Sequence, residues 1–294
     1  MRDGHGNPTP RPTGGPAVTR FATRRDQRLS YESSGPHDGL AVLALHDLLA
    51  DRRQFGLLGE QPTGTAIRLT LPDARGHGAS PMISGRAYPA AELVADALAV
   101  LDAEGVAQTH VVALGWGALT ALGMAAQAPG RVASLVLAAP YAPGLLAAAE
   151  ETEPRAERAR HRDTLQEAAT ASEKGQTDRA LDLVLGVRLG ENWREALPKP
   201  RLASIRRAAS NLAPLLTGMS AEPFPRDALA AFAAPVTILL GEDAPDYERG
   251  TAERLASLLP QASIELTRFD RETPVGTGVE WMPAIARALM TRIA

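Results

Sequence analysis

Few residue types in this 294-residue chain could do chemistry. The chain has no cysteine, which excludes thiolate catalysis, disulfide bonds and thiolate metal sites together. Its six histidines form no pair at metal-ligand spacing, so no metal site is predicted. They are His5, His37, His46, His77, His110 and His161. Because none follows His161, an imidazole proton shuttle is excluded from the rest of the chain.

Carboxylates are therefore the candidate acid–base groups. Asp47 follows the apolar run Leu40–Leu45, and Glu272 follows the strand-length segment Ala262–Thr267. A glutamate buried in a pocket can have its pKa raised toward neutrality, which suits acid–base work. Asp47 and Glu272 are therefore the candidate catalytic carboxylates, and the family resemblance described below places them.

Residues 109–130 predict a buried strand, a glycine turn and a helix. Gly115 lies at the turn, and glycine has no side chain that could attack a substrate or take up a proton. The pair Gly115 and Gly117 also begins a dinucleotide fingerprint, but its third glycine would fall on Thr120, so no cofactor is predicted. Trp116, directly after the turn, either walls a pocket or packs in the core.

Strand and helix patterns alternate along the chain, which predicts an α/β fold with a mainly parallel, doubly wound sheet. Two antiparallel edge strands are predicted at Thr19–Ala22 and Arg28–Ser33. The other predicted strands are Leu40–Leu45, Ala66–Leu71, His110–Leu114, Val132–Ala138, Pro235–Leu240 and Ala262–Thr267. The predicted helices are Asp51–Glu60, Tyr88–Glu104, Trp116–Gln127, Glu150–Glu167, Asp178–Leu189, Leu202–Leu216, Tyr247–Leu259 and Val279–Ile293.

The same pattern divides the chain into four parts. Residues 1–17 predict a disordered tail, and residues 18–140 form the first part of an α/β core. Residues 141–225 contain charged, Ala-rich helical patterns with no strand candidate, which predicts an inserted all-helical cap. Residues 226–294 return to the α/β pattern and complete the core.

Two motifs carry a resemblance to a known family. Leu71–Ser80 contains D-x-R-G-x-G-x-S directly after a strand, and Pro129–Val132 reads P-x-R-V after a helix. In the first motif Gly76 and Gly78 suit positive φ angles, and Asp73 and Arg75 can pair to brace the loop. With these landmarks the chain resembles the α/β-hydrolase superfamily in its capped form over residues 18–294.

The resemblance implies a Ser/Asp/His triad, and all three of its positions are degenerate here. The nucleophile position falls on Gly115, the acid position on Ala244 and the base position near Glu272. Asp243 and Asp246 flank the acid position, and Asp246 is expected to cap the following helix. The usual hydrolytic machinery is therefore predicted to be absent.

The resemblance also implies an oxyanion hole after the first central strand, where this chain has His46-Asp47-Leu48. The backbone N–H groups of Leu48 and Trp116 could point at a ligand oxygen. A pocket-facing Asp47 would oppose negative charge there and suit a cationic ligand or a general base. Alternatively, Asp47 is solvated or caps the next helix. We predict His46, Leu48, Gly115, Trp116 and Asp243 as the ligand pocket.

Composition limits the partners. The formal net charge is −3 and the isoelectric point is near 6.1, which favours no nucleic-acid partner. No run approaches the roughly 20 apolar residues of a membrane span, and the N-terminus does not resemble a signal peptide. We expect a cytoplasmic protein with a small organic ligand, no membrane partner and an oligomeric state that the sequence leaves open.

Three functions remain open. The first is a non-hydrolytic, cofactor-independent enzyme that uses Glu272 or Asp47 in a cyclisation, elimination or isomerisation. The second is a catalytically inactive protein that binds a small molecule or a partner. The third is residual hydrolase activity.

Overall fold

The centre of the molecule is an eight-stranded sheet. The computed structural model describes residues 18–82, 88–142, 155–220, 226–269 and 278–291. The strands are β1 (Val18–Arg24), β2 (Gln27–Ser34), β3 (Leu40–Leu45), β4 (Ile67–Pro72), β5 (Thr109–Leu114), β6 (Val132–Ala138), β7 (Val236–Gly241) and β8 (Ala262–Thr267). Their order across the sheet is β1-β2-β4-β3-β5-β6-β7-β8.

Strands β3 to β8 form the parallel part of the sheet, and β1 and β2 extend it by antiparallel pairing. The mainly parallel α/β sheet is therefore confirmed. One detail is wrong: of the two strands predicted at the edge, β1 alone is an edge strand, because β2 pairs with β1 on one side and with β4 on the other. Because the β1–β2 hairpin joins the sheet through β2, only β1 is left at that edge.

Helices cover both faces of the sheet. The described helices outside residues 155–220 are α1 (Ala90–Ala103), α2 (Gly117–Gln127), α8 (Arg226–Ala230), α9 (Asp246–Leu258) and α10 (Met282–Met290). Alternate residues of β5 enter opposite cores: Val111 and Ala113 join the core of α1, α2 and α9, whereas Val112 and Leu114 join that of α10. Burial on both faces explains why the central strands are continuously apolar.

Five α-helices are described within residues 155–220, between β6 and β7, and we call residues 155–220 the helical insertion. They are α3 (Arg155–Glu173), α4 (Thr177–Leu189), α5 (Trp193–Ala196), α6 (Lys199–Ala208) and α7 (Leu212–Ser220). Buried insertion residues such as Leu165, Leu185 and Leu215 belong to the same apolar core as α1 and α2. The insertion is therefore packed on the α/β core through a continuous apolar contact.

Two predicted helices differ from the structure. Residues 202–216 do not form one helix, because the chain breaks at Ala209–Asn211 and α7 restarts at Leu212. The restart places Pro214 in the first turn of α7, where the missing N–H of proline has no helical acceptor to lose. Residues 51–60 form two 3-10 turns, Arg52–Phe55 and Leu58–Glu60, since Gly56 and Gly59 weaken an α-helix there.

Several predictions fall outside the described residues: the tail 1–17, the start of the helix predicted from Glu150, and the segment that contains Glu272. Within the described residues, no helix is both long and apolar enough to cross a bilayer.

Candidate functional site

The turn at Gly115 joins β5 to α2 at the carboxyl edge of the sheet. Gly115 has a φ of +55°, a left-handed conformation that glycine adopts readily. Its N–H donates to the Ala138 carbonyl, and its own carbonyl accepts from the Tyr141 N–H, both at 3.0 Å. Gly117 allows a close approach, because a Cβ there would lie 2.3 Å from the carbonyl oxygen of Leu45. The backbone of the strand-turn-helix motif is thus well defined, with no side chain at its apex.

The carboxylate of Asp47 lies against this turn. Its Oδ1 accepts the backbone N–H of Leu48 at 2.7 Å and that of Trp116 at 2.8 Å. These are the two amides that the sequence predicts to point at a ligand oxygen. They do converge on a single oxygen, but that oxygen belongs to Asp47. The position where an anionic oxygen would bind is therefore filled by the protein itself.

Asp47 is also fixed through its backbone. Its N–H donates to Oε1 of Gln54 at 2.9 Å, and its carbonyl accepts from the ring of His46 at 2.8 Å. The alternative in which Asp47 caps the next helix is wrong. Asp51 is the residue that caps the following 3-10 turn, by accepting the N–H of Arg53.

Two buried histidines lie beneath this loop, with ring centroids 5.0 Å apart. Nε2 of His46 accepts the Ala74 N–H at 3.0 Å, and Nε2 of His77 accepts the Leu49 N–H at 3.2 Å. An amide N–H can only donate, so each ring carries its proton on Nδ1, which donates to a backbone carbonyl. Both nitrogens of each ring are used, and neither imidazole can serve as a general base without breaking these bonds.

Burial explains the protonation state of His77. Desolvation, followed by the electrostatic effect of neighbouring His46, lowers the pKa of His77 to about 3. His77 is therefore neutral at pH 7. His77 joins the Asp73–Ser80 loop to the loop after β3 through the Leu49 N–H, and its ring lies tilted beside that of Trp116, with centroids 5.7 Å apart.

The loop after β7 presents an alanine where the resemblance implies an acid. Ala244 is buried, whereas Asp243 and Asp246 on either side are exposed. Asp246 begins α9 and makes no capping hydrogen bond, so its predicted role as N-cap is wrong; Pro245 holds that position. An acidic residue in the first turn still interacts favourably with the helix dipole. Glu272 lies outside the described residues, so its placement stays a prediction.

The Asp73–Ser80 loop is braced differently from the prediction. Gly76 and Gly78 have φ of +75° and +52°, as predicted. The predicted pair between Asp73 and Arg75 is wrong, because each has a partner elsewhere. Asp73 accepts from the side chain and N–H of Arg52, and Arg75 donates two bonds of 2.6 Å to Asp96 on α1. Asp73 and Arg75 are close in the sequence, which favoured a local pair. In the folded chain each of them pairs instead with a residue about 20 positions away.

Trp116 is buried, with 1% of its surface exposed. It lines a cavity of about 30 Å³ between the sheet and helices α1 and α2, together with His46, Arg75 and Thr120. Its indole N–H has no acceptor among the described residues. A cavity of this size has room for a single water molecule rather than for an organic ligand. The described contacts of Trp116 are thus those of a packing residue, and a role in the ligand pocket stays a prediction.

The sequence did not indicate Arg52 or His77 as parts of this region. His77 occupies a variable position of its motif, and Arg52 lies 21 residues from Asp73, so only the fold brings them into place. In the described part of the chain, no three histidine, aspartate or glutamate side chains are grouped as a metal ion would need.

Comparison with known proteins agrees with this architecture. The sequence profile of the α/β hydrolase fold matches residues 61–263, more than two thirds of the chain. A protein of Variovorax paradoxus (strain S110) named "Putative carbamate hydrolase RutD" is 37% identical over 113 residues. That match covers 37% of this chain and 41% of the relative, so the chain spans about two fifths of that protein's length.

Solved structures show the same fold over nearly the whole chain. An α/β hydrolase of Sphaerobacter thermophilus DSM 20745 superposes with a TM-score of 0.71 at 20% identity, covering 94% of this chain and 100% of that one. The enol-lactonase of Burkholderia xenovorans LB400 also superposes with a TM-score of 0.71, at 16% identity over 93% and 99%. At such low identity these neighbours establish the fold alone. With the profile match, they show that this chain belongs to the α/β hydrolase fold family.

Proposed function

We propose that this chain is a non-hydrolysing member of its family that binds a small organic molecule at the Gly115 turn. One observation carries the proposal: Oδ1 of Asp47 accepts both amides that would otherwise stabilise the oxyanion of an ester or amide hydrolysis. A negative charge at that position opposes a developing oxyanion. Gly115, at the apex of the turn, has no side chain that could attack a substrate. The turn would therefore lack both a nucleophile and free amides to stabilise the oxyanion that forms on attack.

The same geometry bears on the candidate catalytic carboxylates. Two backbone amides donate to Oδ1 of Asp47 and hold this carboxylate in place at the turn. We therefore assign Asp47 a positioning role. Its carboxylate occupies the oxyanion hole, and it favours ligands that have no negative charge at that position. Acid–base catalysis, the second candidate function, then depends on Glu272, which follows β8.

Residual hydrolysis is the third candidate, and the name of the Variovorax paradoxus relative favours testing it on carbamates. Incubation of the purified chain with p-nitrophenyl acetate and an aryl carbamate should give no release above buffer. A fluorophosphonate probe should label no residue, because such probes need an activated hydroxyl. Turnover that depends on a labelled residue would overturn the proposal.

The closed hole is tested directly by Asp47→Gly. Removal of the carboxylate frees the Leu48 and Trp116 amides, so benzoate should bind this variant at least about tenfold more tightly than the unmodified chain, as expected for hydrogen bonds to a charged group. Glu253→Ala is the control, since it removes an exposed carboxylate of α9 that is not among the predicted pocket residues. Isothermal titration calorimetry gives both affinities. Equal benzoate binding by the unmodified chain and Asp47→Gly contradicts a hole that Asp47 fills.

The two non-hydrolytic candidates separate on what happens to a bound ligand. Native mass spectrometry of the purified chain identifies a retained ligand, and longer incubation shows whether it is consumed. Under the binding proposal the ligand is recovered unchanged. Under the enzymatic alternative it is converted, and Glu272→Gln abolishes conversion while binding and fold persist.

A further inference from the structure

The turn that begins at Asp47 has an unusual backbone conformation at its third residue. Residues 47–50 form a β-turn, which we call turn 47–50, closed by the Ala50 N–H donating to the Asp47 carbonyl at 3.1 Å. Leu49, the third residue, has a φ of +58°. Turns with a positive φ at this position favour glycine, because the Cβ of other residues is crowded there. Turn 47–50 therefore holds a leucine in a conformation that leucine rarely adopts.

Two hydrogen bonds restrain Leu49 in this conformation. Its N–H donates to Nε2 of His77 at 3.2 Å, and its carbonyl accepts from Nη1 of Arg201 at 2.5 Å. Because peptide groups are planar, these bonds fix the orientation of the peptide planes on both sides of Leu49. A strained backbone persists only where the surrounding structure restrains it from several directions. His77 and Arg201 supply that restraint.

The two hydrogen-bond partners of Leu49 belong to different regions of the molecule. His77 lies in the Asp73–Ser80 loop of the core. Burial lowers its pKa to about 3, so the ring stays neutral and Nε2 remains an acceptor for the Leu49 N–H. Arg201 lies in α6 of the helical insertion, and its bond to Leu49 is charge-assisted. One of the two restraints on this core turn therefore comes from the insertion.

The bond from Arg201 also satisfies a buried carbonyl. Leu49 has 0% of its surface exposed, and a buried carbonyl without a donor is costly. Water could replace the guanidinium only if α6 moved away, and a water molecule would not fix the direction of the bond. The conformation of Leu49 thus depends on the docked position of α6.

The conformation of turn 47–50 bears directly on the Asp47 carboxylate. Asp47 and Leu48 are the first two residues of the turn, so its shape sets where Oδ1 of Asp47 meets the Leu48 N–H. The second donor to Oδ1 is the Trp116 N–H, which lies outside the turn and does not move with it. Oδ1 therefore reaches both amides only while the turn keeps its observed shape.

We infer that Arg201 is a positioning residue through which the helical insertion locks turn 47–50. With α6 docked, Leu49 stays at positive φ and Asp47 covers the amides of Leu48 and Trp116. When α6 moves away, the turn relaxes and the two amides open. The consequence for ligands rests on the function proposed for the Gly115 turn, whereas the lock rests only on the contacts of Leu49.

Amide hydrogen exchange of the full chain, resolved by NMR, tests the lock without a ligand. Arg201→Met keeps an unbranched apolar side chain but removes the donor. The amides of Leu48, Leu49 and Trp116 should exchange at least about tenfold faster in this variant, as expected for the loss of a hydrogen bond to a charged group. Arg206→Met is the matched control, since it makes the same change at an exposed residue of α6, and it should alter these rates less than about twofold.

A second background separates the strained turn from general docking of the insertion. Leu49→Gly adopts a positive φ without restraint, so adding Arg201→Met to it should change the exchange rates of Leu48 and Trp116 less than about twofold. A general docking role for Arg201 would not be rescued by glycine. If far-UV circular dichroism shows that Leu49→Gly is unfolded, Leu49→Asn takes its place, because asparagine also tolerates the left-handed region.

Arg201→Lys, which keeps a charged donor, should restore part of the protection. Equal exchange in the unmodified chain and Arg201→Met overturns the inference, as does equal acceleration by Arg206→Met. Equal acceleration with leucine and with glycine at position 49 also overturns it, because Arg201 would then hold the insertion and not the turn. A failed benzoate titration of Asp47→Gly, by contrast, bears on the proposed function alone.

Discussion

The Asp73–Ser80 loop and the Gly115 turn lie close together at the carboxyl edge of the sheet, and they differ in which features of their motifs they keep. The loop keeps its motif side chains, and almost every one has a structural partner: Asp73 with Arg52, Arg75 with Asp96, and the Ser80 hydroxyl with the Asp73 carbonyl. The turn keeps only its backbone. Its apex has no side chain, and the amides beside it are occupied by Asp47.

This difference separates residues that stabilise the fold from residues that could take part in a reaction. Buried, charged groups with complete sets of partners are costly to replace one at a time, since each change leaves another charge unpaired. An apical nucleophile that packs against nothing can be lost without such a penalty. The loop therefore keeps its motif side chains for stability, whereas the turn keeps its backbone geometry and has a glycine at its apex.

The largest effect is expected at Asp73. Asp73→Ala should lower the free energy of unfolding by about 3–5 kcal/mol, because it leaves Arg52 and two backbone N–H groups without their buried acceptor. Urea denaturation measures the change. Asp102→Ala, which removes a pair between Arg131 and a largely exposed carboxylate, should cost less than about 1 kcal/mol. Similar losses in both variants would show that the loop is not held by its ion pairs.

A smaller loss is expected when the backbone geometry of the turn is disturbed. Gly117→Ala places a Cβ 2.3 Å from the Leu45 carbonyl oxygen, and overpacking of this kind costs about 1–3 kcal/mol. Gly130→Ala is the control, since a Cβ there meets nothing within 4 Å. It should be neutral or slightly stabilising. Thermal unfolding compares the two, and an unaffected Gly117→Ala would mean that the turn can shift away from β3.

A pH-dependent effect, about 1.4 kcal/mol for each pH unit below 6.5, is expected from His77, which joins the two regions. The folded pKa of His77 is lowered to about 3, so below the unfolded value of 6.5 the unfolded chain binds a proton that the folded chain does not. Stability should therefore be complete above pH 6.5 and decline as the pH falls toward 3. Urea denaturation between pH 7 and pH 5 measures the slope.

His77→Gln should flatten that slope, while His110→Gln should flatten it less. Burial also lowers the pKa of His110, but His110 is only half-buried. The carboxylates with lowered pKa values, Asp51, Glu92 and Glu104, titrate near pH 2 in the folded chain and contribute little above pH 5. A slope that His77→Gln leaves unchanged would exclude His77 as its source.

Periodicity and motif spacing were sufficient for most of the fold. All eight strands were predicted close to their observed bounds, because buried strands must be apolar and turns need glycine or proline. Helix ends in the insertion were less accurate, since Pro214 is compatible with a first turn as well as with a break. Residues such as Arg52 and Asp96 could not be paired with their partners, because their separation along the chain leaves many alternatives open.

The sequence by itself determined that the chain has no cysteine, no histidine after His161 and no side chain at Gly115, because composition and residue identity do not depend on the fold. Only the tertiary structure decided what Asp47 does. A carboxylate after a strand can face solvent, a ligand or a backbone amide, and the choice depends on where two distant amides are held. Folding brings the N–H of Trp116 within 2.8 Å of Oδ1 of Asp47, across 69 residues of sequence, and this contact directs the carboxylate to a backbone amide.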